Sequence, residues 1–316
     1  MYPSLSSLSF DYSSTSIGNC LAIHADCFEW LTKLPENTFH AVVTDPPYGV
    51  KEYEDDQLNK KRLGTGGVWR IPPSFDGHQR SPLPRFTALN AKDIVHLKTF
   101  FKEWAVQLLR VLRPGGHIFV ASNSYLSLPV FSSISESGFE FRGEIIRTVS
   151  TLRGGDRPKN AEEEFPFVSS LPRGSYEPWG LFRKPLEKNM KVSDCLREYS
   201  TGGLRRLPDG NPFRDVISSE RTPQIERQIA DHPSLKPQSF LRQLVYVSLP
   251  LGDGYILDPF MGSGSTLAAA EALSLKAIGI ERQESYYTLA LKSIPQLAIL
   301  NTGSQLIKPP SQKVLF

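Results

Sequence analysis

The chain has 316 residues, a formal net charge of +3 and 40% hydrophobic residues, which is typical of a soluble globular protein with a large core. Its three cysteines lack metal-type spacing, so we expect neither a disulfide framework nor a metal site. No apolar run approaches the ~20 residues that span a bilayer, and the first residues lack the charged start and apolar core of a secretion signal. We therefore expect a cytoplasmic protein without membrane association, whose mildly basic balance is compatible with a polyanion partner.

Short apolar runs alternate with helical segments after residues 1–16, which we expect to form a flexible N-terminus. Residues 20–24 predict a strand, residues 28–31 a brief helix and residues 39–43 a second, buried strand. This β-α-β unit predicts a parallel sheet. Asp26 follows the first strand, where it either caps the helix or contacts a ligand.

The second strand runs directly into Asp45-Pro46-Pro47-Tyr48. Tandem prolines cannot continue a sheet ladder, so the chain must leave the sheet at this point. An acid, two rigid carbonyl-bearing residues and an aromatic ring then project from the carboxyl end of a strand, which is where open α/β sheets bind ligands. The alternative is a proline-rich turn with an exposed tyrosine.

Residues 51–90 lose all apolar periodicity and contain the basic run Lys60-Lys61-Arg62 close to Trp69. A connection of this length is either a functional lid or a disordered insert. Basic residues beside an aromatic ring suit a surface that follows a nucleic-acid backbone. A solvated loop accounts for the same residues without any function.

Regular periodicity returns at residue 91. Residues 91–112 predict an amphipathic helix, and residues 117–121 and 139–148 predict two strands separated by a weaker helix. Residues 150–231 differ, because their apolar periodicity is poor and arginines are scattered throughout. We interpret this region as an inserted recognition region in which residues 176–182 are the best strand candidate. The alternative is a long irregular surface excursion.

The layout of a nucleotide-type cofactor site appears in residues 232–300, where a helix, a strand at 255–257, a glycine-rich turn, a second helix and a second strand follow one another. Gly262 and Gly264 let the backbone of the turn bend sharply and approach a ligand closely. Glu281 ends the second strand and stands 17 residues after Gly264. That spacing is close to the ~20 residues expected for an acid that binds ribose hydroxyls.

Two common nucleotide-binding motifs do not fit this turn. A P-loop needs a lysine before its Ser or Thr, whereas here Gly264 is followed directly by Ser265-Thr266. A dinucleotide-binding fold needs a third glycine at the start of the helix, where this chain has Leu267. Both motif comparisons therefore argue against a triphosphate or dinucleotide ligand.

Four segments together resemble the DNA amino-methyltransferases that use S-adenosylmethionine, the bacterial modification methylases. They are the tetrapeptide at Asp45, Tyr176-Glu177, residues 232–237, and residues 258–266 with Glu281. Their order is that of the family's beta group, in which the catalytic motif precedes the cofactor motif. The resemblance implies a Rossmann-like α/β methyltransferase fold, circularly permuted, with a mostly parallel seven-stranded sheet. It divides the chain into a catalytic half at 17–149 that includes the loop at 51–90, a target-recognition insert at 150–231, a cofactor-binding half at 232–300 and a loose tail at 301–316.

The resemblance also implies the residues of the site. The catalytic residues would be Asp45, Pro46, Pro47 and Tyr48, and the cofactor-binding residues would be Asp26, Lys236, Ser239, Asp258, Phe260, Gly262, Gly264 and Glu281. The cofactor would be S-adenosylmethionine, and no metal would be needed. The partner would be double-stranded DNA, with a homodimer and a cognate restriction nuclease as further partners that the resemblance allows.

The residues indicate the identity of the methylated base less directly. In this family an aspartate at the position of Asp45 usually accompanies adenine N6, so adenine is the first expectation and cytosine N4 the alternative. An RNA or protein amide methyltransferase and a DNA-binding protein without activity are more distant alternatives. An NAD-dependent oxidoreductase is disfavoured by the missing third glycine.

Overall fold

The computed structural model describes residues 4–47, 91–149, 155, 157–158, 160–232 and 234–303. Tyr48 and the basic loop at 51–90 lie outside the described residues, as does the tail from residue 304 onward, so the predictions made for them stay predictions. Within the described ranges, no helix is long and apolar enough to cross a lipid bilayer. All three cysteines are buried free thiols.

Nine strands of the described residues form one sheet. They are β1 (Ser13–Ile17), β2 (Cys20–His24), β3 (Phe39–Thr44), β4 (Leu112–Ala121), β5 (Glu140–Thr148), β6 (Tyr176–Arg183), β7 (Val216–Ser218), β8 (Tyr255–Asp258) and β9 (Lys276–Glu281). Their spatial order is β1-β2-β9-β8-β3-β4-β6-β5-β7. The strands from β2 to β4 in this order are parallel, whereas β1 and β6 run antiparallel to the strands beside them.

Helices pack against the sheet in two groups. The α-helices of the described residues are α1 (Cys27–Thr32), α2 (Ala91–Val111), α3 (Ser127–Glu136), α4 (Val192–Tyr199), α5 (Gln224–Ile229), α6 (Gln238–Ser248), α7 (Ser265–Ala272) and α8 (Glu284–Ala298). In one group α2 packs on α1 and α3, and in the other α7 packs on α6 and α8. This is the layered arrangement expected of an α/β protein, with helices covering a mostly parallel sheet.

The residue patterns explain why these elements form. Every residue of β3 is buried, as a central parallel strand covered on both faces requires. Helix α2 buries Leu97, Phe101, Trp104 and Leu108, which recur at the three- and four-residue spacing of one helical face. The predicted helix at 91–112 and the predicted strand at 39–43 are both found within one residue of their expected bounds.

The predicted count of seven strands was wrong, because two short strands extend the sheet at its edges. Strand β1 pairs with β2 in a hairpin that turns at Gly18, whose φ of +55° suits glycine. Most of β1 lies within residues 1–16, which we expected to be flexible. Its residues are Ser and Thr apart from Ile17, so an exposed edge strand of this composition carries no apolar alternation that would predict it.

The other additional strand, β7, comes from the region at 150–231 and pairs with β5. The same region also contributes β6, which lies between β4 and β5 inside the sheet. Residues 176–182 are therefore a strand, as predicted. A part of the region that we interpreted as an insert thus belongs to the sheet, and the division of the chain into domains stays a prediction.

The topology brings four strand ends to one place. Because β2, β9, β8 and β3 are neighbouring parallel strands, their carboxyl ends meet at the same edge of the sheet. Asp26, Glu281, Asp258 and Asp45 stand at or just after these ends. The edge at which an open α/β sheet binds ligands therefore carries four acids.

Candidate active site

Hydrogen bonds tie these strand ends to one another in pairs. The hydroxyl of Thr44, the last residue of β3, donates to Asp258 Oδ1 at 2.7 Å and so joins the end of β3 to that of β8. The backbone N–H of Ala25, just after β2, donates to the carbonyl oxygen of Glu281 at 3.1 Å. The end of β3 is thus joined to that of β8, and the end of β2 to that of β9.

Asp45 forms a buried ion pair with Lys236. The Lys236 Nζ lies 2.6 Å from Asp45 Oδ2, and both side chains are largely shielded from solvent. Lys236 directly precedes Pro237, the N-cap residue of α6, so the helix start holds the lysine over the end of β3. Burial lowers the pKa of Lys236, but the carboxylates of Asp45 and Glu177 outweigh it and raise the pKa above its ordinary value. The ammonium therefore stays charged.

Glu177, at the start of β6, continues this pair into a row of alternating charges. Its carboxylate lies 3.5 Å from Lys236 Nζ and 3.0 Å from Arg147 Nη1. It also accepts a hydrogen bond of 2.9 Å from the indole N–H of Trp179. We call Asp45, Lys236, Glu177 and Arg147 the charged row. Since its four members come from β3, the start of α6, β6 and β5, it connects distant parts of the chain.

Arg147 links the charged row to the end of β7. Its Nε donates to the Ser219 hydroxyl at 3.0 Å, and its Nη2 donates to the Glu220 carbonyl at 2.9 Å. The arginine is buried, and these contacts together with Glu177 use all three of its nitrogens. The segment after β7, within the region predicted to recognise the target, is thus held against the row that contains Asp45.

The glycine-rich turn between β8 and α7 is shaped by two residues with positive φ. Gly262 has a φ of +51° and Gly264 a φ of +83°, which L side chains rarely adopt. A Cβ at Gly264 would overlap Ile294 Cγ1 of α8. The backbone N–H of Gly262 donates to Glu281 Oε2 at 3.1 Å, and that of Gln283 donates to Glu281 Oε1 at 2.8 Å. Burial raises the pKa of Glu281 above its ordinary value.

Asp258 is the most deeply buried acid at this edge, with 3% of its surface exposed. Its Oδ1 accepts hydrogen bonds from the Thr44 hydroxyl and, at 3.2 Å, from the backbone N–H of Phe260. Burial outweighs these bonds and raises the pKa of Asp258 to about 6. The Phe260 ring packs in turn on Phe100 and Trp104 of α2, with ring centroids 5.9 and 5.8 Å away.

The ring of His232 packs against the glycine-rich turn. It lies against Gly262, where a Cβ would come within 3.0 Å of His232 Nε2, and it meets Tyr286 edge to face at 4.5 Å. Its Nδ1 accepts the backbone N–H of Ser234 at 3.2 Å. Burial, followed by the charge of Lys236, lowers the pKa of His232 to about 4. The ring is therefore neutral at pH 7 and packs as an uncharged wall of the turn.

One narrow cleft is lined both by the Asp45–Lys236 ion pair and by the glycine-rich turn. Asp45 and Lys236 line it together with Asp258, Phe260 and Gly262. The space between them is about 30 Å³, room for a water molecule rather than a nucleoside, so its walls have to separate when a larger ligand enters. A wider, shallow cleft of about 640 Å³ lies between α1 and α2 and shares no lining residue with the first. It has no glycine turn and no buried charge, so we assign the chemistry to the narrow cleft.

The remaining predicted residues occupy different positions. Pro46 is buried and Pro47 exposed just after Asp45. Gly264 packs on α8, and Ser239 lies within the first turn of α6. Six members of the predicted set within the described residues do not line the narrow cleft: Asp26, Pro46, Pro47, Ser239, Gly264 and Glu281.

Asp26 is a helix cap, one of the two roles that its position in the sequence predicted. It caps α1, accepting the backbone N–H groups of Phe28 and Glu29 at 2.8 and 3.3 Å. The site also contains residues outside the predicted set, among them Arg147, Glu177, Trp179 and His232. Within the described residues, no cluster of His, Cys, Asp and Glu has the size needed to hold a metal ion.

Comparison with known proteins gives a consistent result. Residues 39–292 match the family described as DNA methylase, of the N6/N4 type. The type II methyltransferase M2.DpnII of Streptococcus pneumoniae is 23% identical over 274 residues, which cover 87% of this chain and 89% of that protein. The type II methyltransferase M.HindIII of Haemophilus influenzae is 24% identical over 298 residues, covering 87% and 95%.

Solved structures resemble the fold over nearly the whole chain. TTHA0409 of Thermus thermophilus, solved in complex with S-adenosyl-L-methionine, has a TM-score of 0.55 at 20% identity and covers 90% of this chain and 97% of its own. The cytosine-N4-specific PvuII DNA methyltransferase has a TM-score of 0.54 at 16% identity, covering 92% and 89%. These likenesses confirm the predicted Rossmann-like methyltransferase fold. The family match covers well over half of the residues, and the chain therefore belongs to the N6/N4 family of DNA methylases.

Proposed function

We propose that this protein transfers a methyl group from S-adenosylmethionine to adenine N6 in double-stranded DNA, on a base flipped out of the helix, with cytosine N4 as the second candidate. The observation that carries the proposal is the narrow cleft, which is lined by both the Asp45–Lys236 pair and the glycine turn at Gly262. A methyl acceptor and a methyl donor have to meet in one place, and this cleft offers a side for each.

The turn side suits the cofactor. Gly262 lines the cleft with its backbone at a φ of +51°, and Asp258, a buried acid that also lines it, keeps Phe260 in place through the backbone bond. Glu281 is held by two backbone N–H groups at the end of β9, the position from which an acid binds ribose hydroxyls in related sheets. We propose that Gly262, Asp258, Phe260 and Glu281 hold the cofactor. When bound, S-adenosylmethionine supplies an electrophilic methyl group on a sulfonium centre.

The charged row suits the amine of the base. An exocyclic amine is a poor nucleophile because its lone pair is delocalised into the ring. We propose that Asp45 and the Pro46 carbonyl each accept one N–H of this amine, which frees the lone pair for attack. Proline holds its carbonyl in place because its φ is restricted.

Lys236 has a separate role in this proposal. An ionised carboxylate offers about four lone-pair sites, so pairing one oxygen with Lys236 leaves Asp45 acceptor capacity for the amine. The ammonium also keeps Asp45 ionised and fixes its orientation in a buried place. Asp45 then only accepts a hydrogen bond, and the methylated nitrogen loses its own proton afterwards.

The base has to leave the duplex to reach this cleft, since its amine is inaccessible in stacked DNA. Tyr48, which lies outside the described residues, is proposed to stack on it; such stacking stabilises a base by about 1–3 kcal/mol. The scattered arginines of residues 150–231 are proposed to contact the DNA, as is the basic loop at 51–90. The beta-group permutation rests on the order of Asp45 before Gly262 in the chain and stays part of the proposal.

The relatives named above are type II methyltransferases of bacteria, which favours a restriction-modification role in the bacterial cytoplasm. The test of the proposed function is methylation of unmodified genomic DNA with radiolabelled or isotopically marked S-adenosylmethionine, followed by nucleoside analysis and mapping of the modified positions. We expect labelled N6-methyladenine at one short sequence. N4-methylcytosine would select the second candidate, and no labelled nucleoside would reject both.

A further inference from the structure

Asn123 lies beside the proposed amine site, just beyond the end of β4. Strand β4 runs between β3 and β6, with Val120 paired to Thr44 on one side and Ala121 paired to Trp179 on the other. The ladder to β6 continues one residue further, because the backbone N–H of Ser122 donates to the Pro178 carbonyl at 3.0 Å. The next residue, Asn123, therefore stands at the edge where Asp45 leaves β3.

The end of β4 that precedes Asn123 lies beside the cleft, because Ala121 is on the face of the sheet that borders it. Paired residues of neighbouring strands point to the same face, and residues two apart along a strand share a face. Trp179 lines the cleft and is paired with Ala121. Asn123 stands two residues after Ala121, the last residue of β4, and so at the end of the strand that borders the cleft. Glu177, two residues before Trp179, is on that face too, and its carboxylate reaches Lys236.

The orientation of the Asn123 amide follows from its hydrogen bonds. Its Oδ1 accepts the backbone N–H groups of Tyr125 and Leu126, both at 2.9 Å. Only the oxygen can accept two N–H donors, so the Nδ2 group points away from the start of α3. The side chain is 5% exposed, and Nδ2 has no hydrogen-bond partner in the part of the chain that the structure describes.

Capping the first turn of α3 does not explain this residue fully. The capping role uses only the oxygen, and Asp or Ser would accept the same two N–H groups equally well. A buried donor without a partner destabilises the folded state, because its lost contact with water is not replaced. Such groups in native proteins call for an explanation, and a ligand that supplies the missing acceptor is one.

We propose that Asn123 binds the target base by donating a hydrogen bond from Nδ2 to the ring nitrogen next to the exocyclic amine. This inference rests on the proposed function. The nitrogen is N1 in adenine and N3 in cytosine, and it carries a lone pair in both. Guanine and thymine carry an N–H at the corresponding ring position, so a second donor would face Asn123. The residue thereby selects amine-bearing bases whose neighbouring ring nitrogen is an acceptor, while Asp45 and Pro46 bind the amine itself.

The test is a double-mutant cycle between the protein and the base. Duplexes that contain the mapped target sequence carry either adenine or 1-deazaadenine, in which N1 is replaced by C–H, at the methylated position. Asn123→Ser keeps a capping acceptor and removes the amide donor. For the unmodified protein we expect kcat/KM to fall about tenfold or more on 1-deazaadenine, the size of losing one hydrogen bond to a group left unpaired. For a cytosine target, 3-deazacytosine takes the place of 1-deazaadenine.

The variant should respond differently. Asn123→Ser should lose a similar factor on adenine but should show little further loss on 1-deazaadenine. Asn123→Asp, which also caps α3, places an acceptor against the ring nitrogen and should lose more than Asn123→Ser. Circular dichroism and S-adenosylmethionine affinity of both variants should match those of the unmodified protein.

Two results would overturn the inference while leaving the proposed function intact. One is an unmodified protein that methylates adenine and 1-deazaadenine duplexes equally well. The other is a set of Asn123 variants whose losses on the two duplexes simply multiply, as a purely structural role would produce. If the unmodified protein methylates no duplex at all, the proposed function itself fails and the inference fails with it.

Discussion

The amine side and the cofactor side of the proposed site hold their acids in different ways. Asp45 is held by a side chain 191 positions away, through the ion pair with Lys236. Glu281 is held by backbone N–H groups of Gly262 and Gln283, which lie 19 and 2 positions away. One side thus depends on charges that distant segments bring together, and the other depends on the local path of the backbone.

Each side is therefore vulnerable to a different kind of change. Removing one member of a buried ion pair leaves an uncompensated charge, which is costly. A backbone turn has no partner charge to lose, but it fails when a side chain is added where none fits. The amine side should therefore respond most to changes of charge, and the cofactor side to changes of volume and of proton binding.

The largest effect is expected for Asp45→Asn, which keeps the shape of the side chain and removes its charge. Methyl transfer should fall on the order of 10²–10³-fold, as happens when a pre-oriented hydrogen-bonding group is removed from an active site. Affinity for S-adenosylmethionine should not change, because the turn is untouched. Steady-state methylation and equilibrium cofactor binding measure the two separately. The matched control is Asp253→Asn, which removes a carboxylate from an exposed pair with Lys276 and should keep full activity.

A variant Asp45→Asn that methylates DNA at the original rate would contradict the assignment of the amine side. If cofactor binding were lost together with activity, the two sides would not be separable in the way their contacts indicate.

The second effect is on stability. Lys236→Met leaves Asp45 and Glu177 buried without the cation between them, and the free energy of unfolding should fall by about 3–5 kcal/mol, the usual cost of breaking a buried pair. Lys276→Met removes the exposed pair with Asp253 and should cost less than about 1 kcal/mol. Urea denaturation of the two variants measures the difference. Equal, small losses would mean that the charged row does not hold the amine side together.

The same contrast explains what the sequence could predict. The glycine turn and Glu281 lie within one contiguous strand-turn-helix-strand segment, so spacing alone predicted their arrangement. The two prolines after a buried strand predicted only that the chain leaves the sheet at Asp45, and the catalytic role of the tetrapeptide came from its resemblance to the methyltransferase family. Both features are local, and local features leave a pattern in the residue order.

The charged row left no such pattern. Arg147 lies within the predicted strand at 139–148, and its burial against Glu177 follows only from the pairing of β5 with β6. Asn123 resembles an ordinary turn residue, since its unpaired Nδ2 is a property of the fold rather than of the residue order. Strand β1 was missed because it lies at an edge and is largely exposed. Contacts of this kind depend on the assembled sheet.

The third prediction concerns protons on the cofactor side. Burial raises the pKa of Asp258 from 3.8 to about 6, so the folded state binds a proton more tightly than the unfolded state. The resulting stabilisation is fully present below pH 3.8 and is lost as the pH rises through about 6, by roughly 3 kcal/mol at ~1.4 kcal/mol per pKa unit. Asp258→Asn cannot titrate and should lack this component.

Denaturation curves measured from pH 4 to pH 7 test this pH-dependent stabilisation by Asp258 without any ligand. The stability of Asp258→Asn relative to the unmodified protein should increase over this range. A difference that stays constant with pH would show that Asp258 is ionised throughout the range. The acid on the cofactor side would then be held by hydrogen bonds strongly enough to offset its burial, and the two sides of the cleft would be more alike than their contacts indicate.

The smallest expected effect separates backbone strain from packing at the turn. Gly264 and Gly210 have nearly the same φ, +83° and +82°, but a Cβ at Gly264 would overlap Ile294 whereas one at Gly210 would meet nothing within 4 Å. Gly210→Ala should therefore cost only the strain of a left-handed residue, about 1–2 kcal/mol. Gly264→Ala should cost about 1–3 kcal/mol more, because Ile294 has to move. Thermal or urea unfolding measures both, and equal losses would mean that α8 yields freely and that the turn is shaped by its backbone conformation alone.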